Sequence, residues 1–322
     1  MSAASGRPRV AVLMGGVSPE KEVSLASGQR VREALRQLGY VADTVVYEGD
    51  IAATIKALRG RELVFIALHG GEGEDGTVQA ALDDAGLRYT GSSSAASRLA
   101  MDKHHSKERM LAAGLPIPPW VRLQLAGGPI RPGGPHEEAL AEFLEPRSYP
   151  VVVKPNGQGS TVGLTIVDHY DQLPDALSLA REFDSQVLVE AYIPGQELTV
   201  TVLDQRPLPV VEIVPRHATF DYECKYTEGM STYTVPADLP LELTVAVQDA
   251  ARRLYDDLGC RHYARIDQRL DPEYRFYCLE LNTLPGLTSH SLTPMAAEAA
   301  GIPFQALIDR IVRLALADPV PA

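Results

Sequence analysis

The stretch 263–292, YARIDQRLDPEYRFYCLELNTLPGLTSHSL, decides how the rest of this chain reads. Two runs of alternating apolar and polar residues, 263–271 and 275–283, flank a polar tetrapeptide at 271–274, the pattern of an antiparallel hairpin. Side chains alternate along strands, so Arg265, Asp267, Glu280 and Asn282 fall on one face, with Arg265 opposite Glu280. Two carboxylates and an amide oxygen beside an arginine suit Mg²⁺, a hard ion that takes oxygen ligands and shares them with phosphates. A solvated sheet face carrying surface ion pairs fits the same pattern.

Outward from this hairpin the chain divides in two. RVAVLMGG is a buried strand meeting glycines. A helix follows, opened by Ser18 as cap and Pro19 in its first turn and running to about Leu38. VADTVVY, IAATIKALRG, ELVFIALHG and GTVQAALDDAG continue a strand–helix alternation, which predicts a parallel sheet with right-handed crossovers. In such sheets binding groups gather beyond the carboxyl ends of the strands, where 15–20 and 69–76 sit.

The helical run 92–114 ends this alternation. Then come short strands with hairpin-like spacing, SYPVVVKP, TVGLTIV, SQVLVEAYI, QELTVTVL and LPVVEIV, and a helix near 171–183. This is an α+β pattern. Residues 125–138 read as a proline- and glycine-rich loop. Residues 215–240 read as a polar loop long enough to be a lid. A helix at 241–258, the hairpin and a helical end complete the chain.

Bulk properties narrow the function. The 322 residues are 45% hydrophobic with a net charge of −12, and an acidic surface repels nucleic-acid backbones. The N-terminus lacks the apolar core of a secretory signal, and no apolar run reaches the ~18 residues of a membrane span. Cys224, Cys260 and Cys278 are widely spaced, as in a reduced cytoplasmic protein.

Four further segments carry chemistry. In VVVKPNGQGSTVG (151–163) a strand delivers Lys154, and glycines with Ser160 and Thr161 follow; backbone N–H groups of such a loop cradle phosphate, although a plain glycine-rich turn looks alike. It matches neither GxxxxGK[ST] nor GxGxxG. In MDKHHSK, Lys103 and Lys107 lie four apart on one helix face, either sharing an anion or facing solvent. His104 and His105 diverge by about 100° and do not make a joint ligand pair. Glu20 and Glu22 occupy a first helical turn, where the helix dipole favours acids irrespective of function; Glu20 is also placed to meet a substrate ammonium. His69, in HGGEGEDG, either orients a carboxylate ligand or braces a tight loop. Together these describe ATP-dependent chemistry on a small charged molecule. A nucleotide-dependent oxidoreductase is disfavoured, because GxGxxG and an acidic residue ending the second strand are both missing.

GGVSPEKEVSL, HGGEGEDGTVQ, MDKHHSK, VKPNGQGSTVG, VEAYIPGQELTV, DYECKY, ARID and LELNTLPGLTSHSLTPMAA occur in the order and spacing of the D-alanine–D-alanine ligases, ATP-grasp enzymes of peptidoglycan synthesis, which the chain resembles over nearly its whole length. The resemblance implies an N-terminal parallel βαβ (pre-ATP-grasp) domain over 1–97, a central ATP-grasp lobe over 98–188 and a catalytic lobe over 189–322 with the lid at 215–240. It implies that Lys103 and Lys154 bind phosphates, with Gly159 and Thr161 in the loop closing on them. Glu190, Tyr192, Ile193 and Glu197 would hold adenine and ribose, Lys225 would belong to the lid, and Asp267, Glu280 and Asn282 would bind two Mg²⁺ ions, with Mn²⁺ as a substitute. Glu20 would take the first D-alanine's ammonium beside Ser160 and Tyr226. Arg265 and the Gly286 N–H would stabilise the oxyanion, Ser291 and Leu292 would hold the second D-alanine's carboxylate, and His69 would lie near both. A cytoplasmic homodimer is also implied. Lys21 departs from the arginine expected there, and TFDYE lacks a common second tyrosine. Tyr226, absent from ligases that make D-alanyl-D-lactate, implies an amine as second substrate; a related ligase making D-Ala-D-Ser or D-Ala-D-Lac remains the alternative.

Overall fold

The computed structural model describes residues 7–125, 127, 136–145, 149–216 and 229–321. Strands β1 (Arg9–Gly15), β2 (Val41–Tyr47) and β3 (Leu63–Ile66) form a wholly parallel sheet in the order β2-β1-β3. Its crossovers carry α1 (Lys21–Gln37) and α2 (Ile51–Leu58), and α3 (Thr77–Asp84) follows β3. β1 and β3 are apolar on both faces because both faces are covered. The last helix, α10 (Phe304–Ala317), completes one of those covers: Leu307, Ile311 and Val312 pack with Val10, Val12 and Leu35 in one core.

Two antiparallel sheets follow. β4 (Trp120–Gln124), β5 (Val151–Pro155), β6 (Thr165–Val167) and β7 (Gln186–Ala191) run in the order β4-β7-β5-β6, backed by α6 (Glu137–Leu144) and α7 (Leu173–Phe183). The larger sheet contains β8 (Gln196–Leu203), β9 (Arg206–Pro207), β10 (Val211–Pro215), β11 (Ser231–Thr234), β12 (Tyr263–Leu270) and β13 (Phe276–Asn282), ordered β11-β10-β8-β12-β13 with β9 on β8. Helix α8 (Leu241–Asp257) covers its apolar face through Val247, Ala251 and Leu254.

Four local expectations are corrected. Ser18 does not cap α1: its hydroxyl donates to the His69 carbonyl at 2.6 Å, and Glu20 is the cap residue. The helical run 92–114 is two helices, α4 (Ser94–Met101) and α5 (Lys103–Ala112), broken at Asp102, whose carboxylate caps α5 by accepting from His105 N at 3.0 Å. Residues 231–234, expected in the loop, pair with β10. Glu137 and Glu138, also expected in a loop, open α6, where acids suit the helix dipole.

Cys260 and Cys278 are free thiols. Burial pushes Cys260 up to about 12 and Cys278 up to about 11, and Cys224 lies outside the described residues. At pH 8 both described thiols are almost wholly protonated and therefore poor nucleophiles. Iodoacetamide on the native protein is expected to leave the wholly buried Cys278 unmodified and to react slowly with the half-buried Cys260, while both react in urea, read by peptide mass spectrometry. Rapid native labelling of Cys278 would show that its burial is not maintained in solution.

Candidate active site

The β12–β13 hairpin brings its four polar residues onto one face, but not in the expected register. Arg265 pairs with Asn282, and Asp267 with Glu280. Two shifts account for the difference. The loop runs 271–275, one residue longer than expected, and a bulge follows as Gln268 pairs with Cys278 but Asp267 with Glu280. Either shift alone would send Glu280 and Asn282 to the opposite face; together they restore it. The bulge also lets Cys278 and Leu281, three residues apart, both bury beneath α8.

Asp267 is held at both oxygens by Arg265, with Nε and Nη2 each donating at 2.8 Å, and accepts from Thr199 Oγ1 at 2.8 Å. Glu280 lies 3.7 Å from Lys103 Nζ, and Asn282 Oδ1 accepts from Leu284 N. Among the described residues no three His, Cys, Asp or Glu side chains cluster as a metal site. Two carboxylates and one amide oxygen nonetheless form a hard donor set that suits Mg²⁺ when substrate phosphates complete the shell.

Across from this face, β5 and β7 carry Lys154 and Glu190. Glu190 Oε1 lies 3.0 Å from Lys154 Nζ and 3.1 Å from Lys107 Nζ. Burial pushes the Glu190 carboxyl up, but the two ammonium groups outweigh it and hold it below its ordinary value. The Asn156 side chain docks α5 here by accepting from His104 N at 2.8 Å. Lys103 and Lys107 are therefore buried, and the solvent-facing reading of this helix is wrong.

The two sheets enclose a cleft of about 900 Å³, open mouth included, which is ample for a small-molecule ligand. Lys103, Lys154, Thr161, Glu190, Tyr192, Ile193, Glu197, Asp267 and Glu280 all line it. Arg269 ties one wall together: Nε donates to the Ile193 carbonyl at 3.0 Å, Nη1 meets Glu197 at 3.4 Å, and the guanidinium sits 5.4 Å from the Tyr192 ring centre.

A smaller cavity adjoins the cleft, sharing Lys103 and Glu280 and lined also by Gly159, Asn282 and Glu74. The loop above it is strained, with Ser160 and Thr161 both at positive φ, 50° and 64°. Ser160 Oγ donates to Glu20 Oε1 at 2.5 Å, joining this loop to the mouth of the N-terminal sheet. Glu74 is buried nearby. Burial raises its carboxyl, His69 at 3.8 Å opposes that shift, and the Glu20 charge adds to it. His69 itself bridges the chain's two ends, with Nδ1 3.0 Å from the Leu284 carbonyl and Nε2 3.2 Å from Ser27 Oγ.

Beyond β13, a side chain at Gly286 would meet Ser291 Oγ at 2.7 Å and displace that hydroxyl. Ser291 opens α9 (Leu292–Ala299), but its hydroxyl turns back to accept from Thr288 N at 3.0 Å. Ser291, at the amino end of α9, thus lies against the Gly286 turn. Lys225 and Tyr226 lie outside the described residues.

Residues 110–313 match the model of the D-ala D-ala ligase C-terminus family. The chain is 44% identical to the D-alanine--D-alanine ligase of Gloeobacter violaceus, covering 94% of this chain and 98% of that one. It is 42% identical to that of Syntrophotalea carbinolica over 94% and 95%. It belongs to the D-alanine–D-alanine ligase family. Among solved structures it is similar to the Bacillus anthracis D-alanine--D-Alanine Ligase complexed with ATP, with TM-score 0.83 and 35% identity over 97% and 98% of the two chains. It is also similar to the VanG D-Ala:D-Ser Ligase from Enterococcus faecalis, with TM-score 0.80 and 29% identity over 96% and 99%.

Within this ligase-family site, Arg269 and Glu74 were not singled out in the sequence, and Lys107 was left as either anion-sharing or solvent-facing. Arg269 was legible, since it continues the alternation of Arg265 and Asp267. Lys107 and Glu74 were not, because only long-range packing decides that a lysine on a helix or a glutamate in a glycine loop is buried.

Proposed function

We propose that this ligase-family protein uses ATP to join two D-alanines, releasing ADP and phosphate and supplying D-alanyl-D-alanine for peptidoglycan precursors. The observation that carries this reading is the sharing of Lys103 and Glu280 between the large cleft and the small cavity. Phosphate delivered from one side meets a carboxylate held on the other.

In this reading the nucleotide lies in the cleft, with Glu190, Tyr192, Ile193 and Glu197 around adenine and ribose, and Lys103, Lys154, Gly159 and Thr161 around the phosphates. Glu20, kept in place by Ser160 and with Tyr226 from the lid, takes the first D-alanine's ammonium. A carboxylate oxygen of that D-alanine attacks the γ-phosphorus and ADP leaves, giving an acyl phosphate. The amine of the second D-alanine, its carboxylate held by Ser291 and Leu292 at the start of α9, attacks the acyl carbon. Arg265 and the Gly286 N–H take the oxyanion before phosphate leaves. Asp267, Glu280 and Asn282 would hold up to two Mg²⁺ ions, Mn²⁺ substituting, and such ions neutralise charge during phosphoryl transfer. Water hydrolyses acyl phosphates, so a lid built from 215–240 and Lys225 fits the chemistry. His69 contributes by tying the N-terminal sheet to the Leu284 turn. We assign the three segments 1–97, 98–188 and 189–322 as domains of a cytoplasmic homodimer; no helix among the described residues is long and apolar enough to cross a membrane.

The test is phosphate release with product analysis. Phosphate is expected only when both ATP and D-alanine are present, with D-alanyl-D-alanine as the dipeptide and L-alanine inactive. Equal rates with L-alanine, or a D-serine or D-lactate product made faster in mixed-substrate assays, would overturn the assignment of the second substrate.

A further inference from the structure

Lys107 is 0% exposed, more buried than any other charged side chain among the described residues, yet it does not line the cleft. An ammonium in such a place needs strong compensation. Its partner is Glu190, whose Oε1 lies 3.1 Å from Nζ and is shared with Lys154; neither ammonium meets that oxygen in hydrogen-bonding geometry, and the Trp120 ring centre is 5.9 Å from Lys107 Nζ. Desolvation accordingly pulls the Lys107 ammonium below its usual value despite Glu190.

Stability alone does not explain this lysine. Lys154 and Glu190 already form a neutral pair at 3.0 Å, and an apolar side chain of similar size in place of Lys107 would fill the space without a buried charge. Around the cleft the described charges otherwise match: Lys103 with Glu280, Lys154 with Glu190, Arg265 with Asp267 and Arg269 with Glu197. Lys107 is the surplus cation.

We propose that Lys107 is a positioning residue for nucleotide phosphates: it takes up the charge of Glu190 from behind, leaving the charge of Lys154 available to the phosphates in the cleft. Glu190 cannot neutralise two ammonium groups, so the cluster presents one net positive charge towards the ligand. This rests on the reading of the cleft as the ATP site.

The test is calorimetric titration of the full-length protein with ADP and with adenosine, which lacks the phosphates. Lys107→Met is expected to weaken ADP about tenfold, as loss of one nearby partly buried charge should. Adenosine affinity stays within about twofold, and the unliganded protein melts no lower than wild type. Lys107→Met combined with Glu190→Gln restores the surplus charge and is expected to recover the preference for ADP over adenosine. Wild-type ADP affinity in Lys107→Met, equal losses for ADP and adenosine, or no recovery in the double variant would each overturn the proposal. A wild-type protein that binds neither ligand would remove the nucleotide reading itself.

Discussion

Glu280→Ala is expected to lower turnover about a thousandfold or more while the protein stays folded. Glu280 lines both the large cleft and the smaller cavity beside it. Its carboxylate lies beside Lys103 and pairs across the hairpin with Asp267, so in the proposed reading it would help hold the Mg²⁺ that neutralises charge during phosphoryl transfer. Such stabilisation is worth several kcal/mol, and each ~1.4 kcal/mol is a factor of ten in rate. Glu280 is partly exposed and no hydrophobic core depends on it, so stability should hold. Steady-state phosphate release, with circular dichroism to verify folding, is the measurement. Turnover within about tenfold of wild type would refute the proposed metal-holding role.

Gly195→Ala is expected to destabilise the protein by about 3–5 kcal/mol and lower its melting midpoint by about 10 °C. Gly195 sits between β7 and β8 at φ +112°, a conformation that L side chains rarely adopt. A Cβ there would lie 2.2 Å from the Leu270 carbonyl oxygen and 3.2 Å from Asp271 Cα, both backbone atoms that cannot swing aside. Strain and overpacking therefore add. The same turn accepts a hydrogen bond from Arg269 and leads from Ile193 to Glu197, so nucleotide affinity should fall with stability. Thermal melting with and without ADP checks both effects. A midpoint within about 2 °C of wild type would mean the turn relaxes freely.

The distribution of legible and hidden features follows from the range of the interactions that set them. Alternation along 263–283 was enough to place Asp267, Glu280 and Asn282 on one face, because side-chain direction in a strand is a local property. Register was not local: it depended on one extra loop residue and a bulge, and the bulge becomes apparent only when Cys278 and Leu281 are both found under α8. The break at Asp102 shows the same division. An aspartate in a helical run reads as an ordinary polar position until the Asn156 side chain is seen docking on the next helix. β11 was hidden because exposed strand edges share their polar composition with loops.

The amino-acid sequence by itself determined the order of elements and the parallel N-terminal sheet followed by antiparallel ones, both of which rest on period and turn chemistry. The ligase family and the polar residues of the cleft came from the resemblance of its motifs. The tertiary structure alone decided which charges are buried and with whom. It sank Lys107 behind Glu190 and linked His69 to the Leu284 turn. Burial and pairing are sums over neighbours distant in the chain, and no local pattern encodes them.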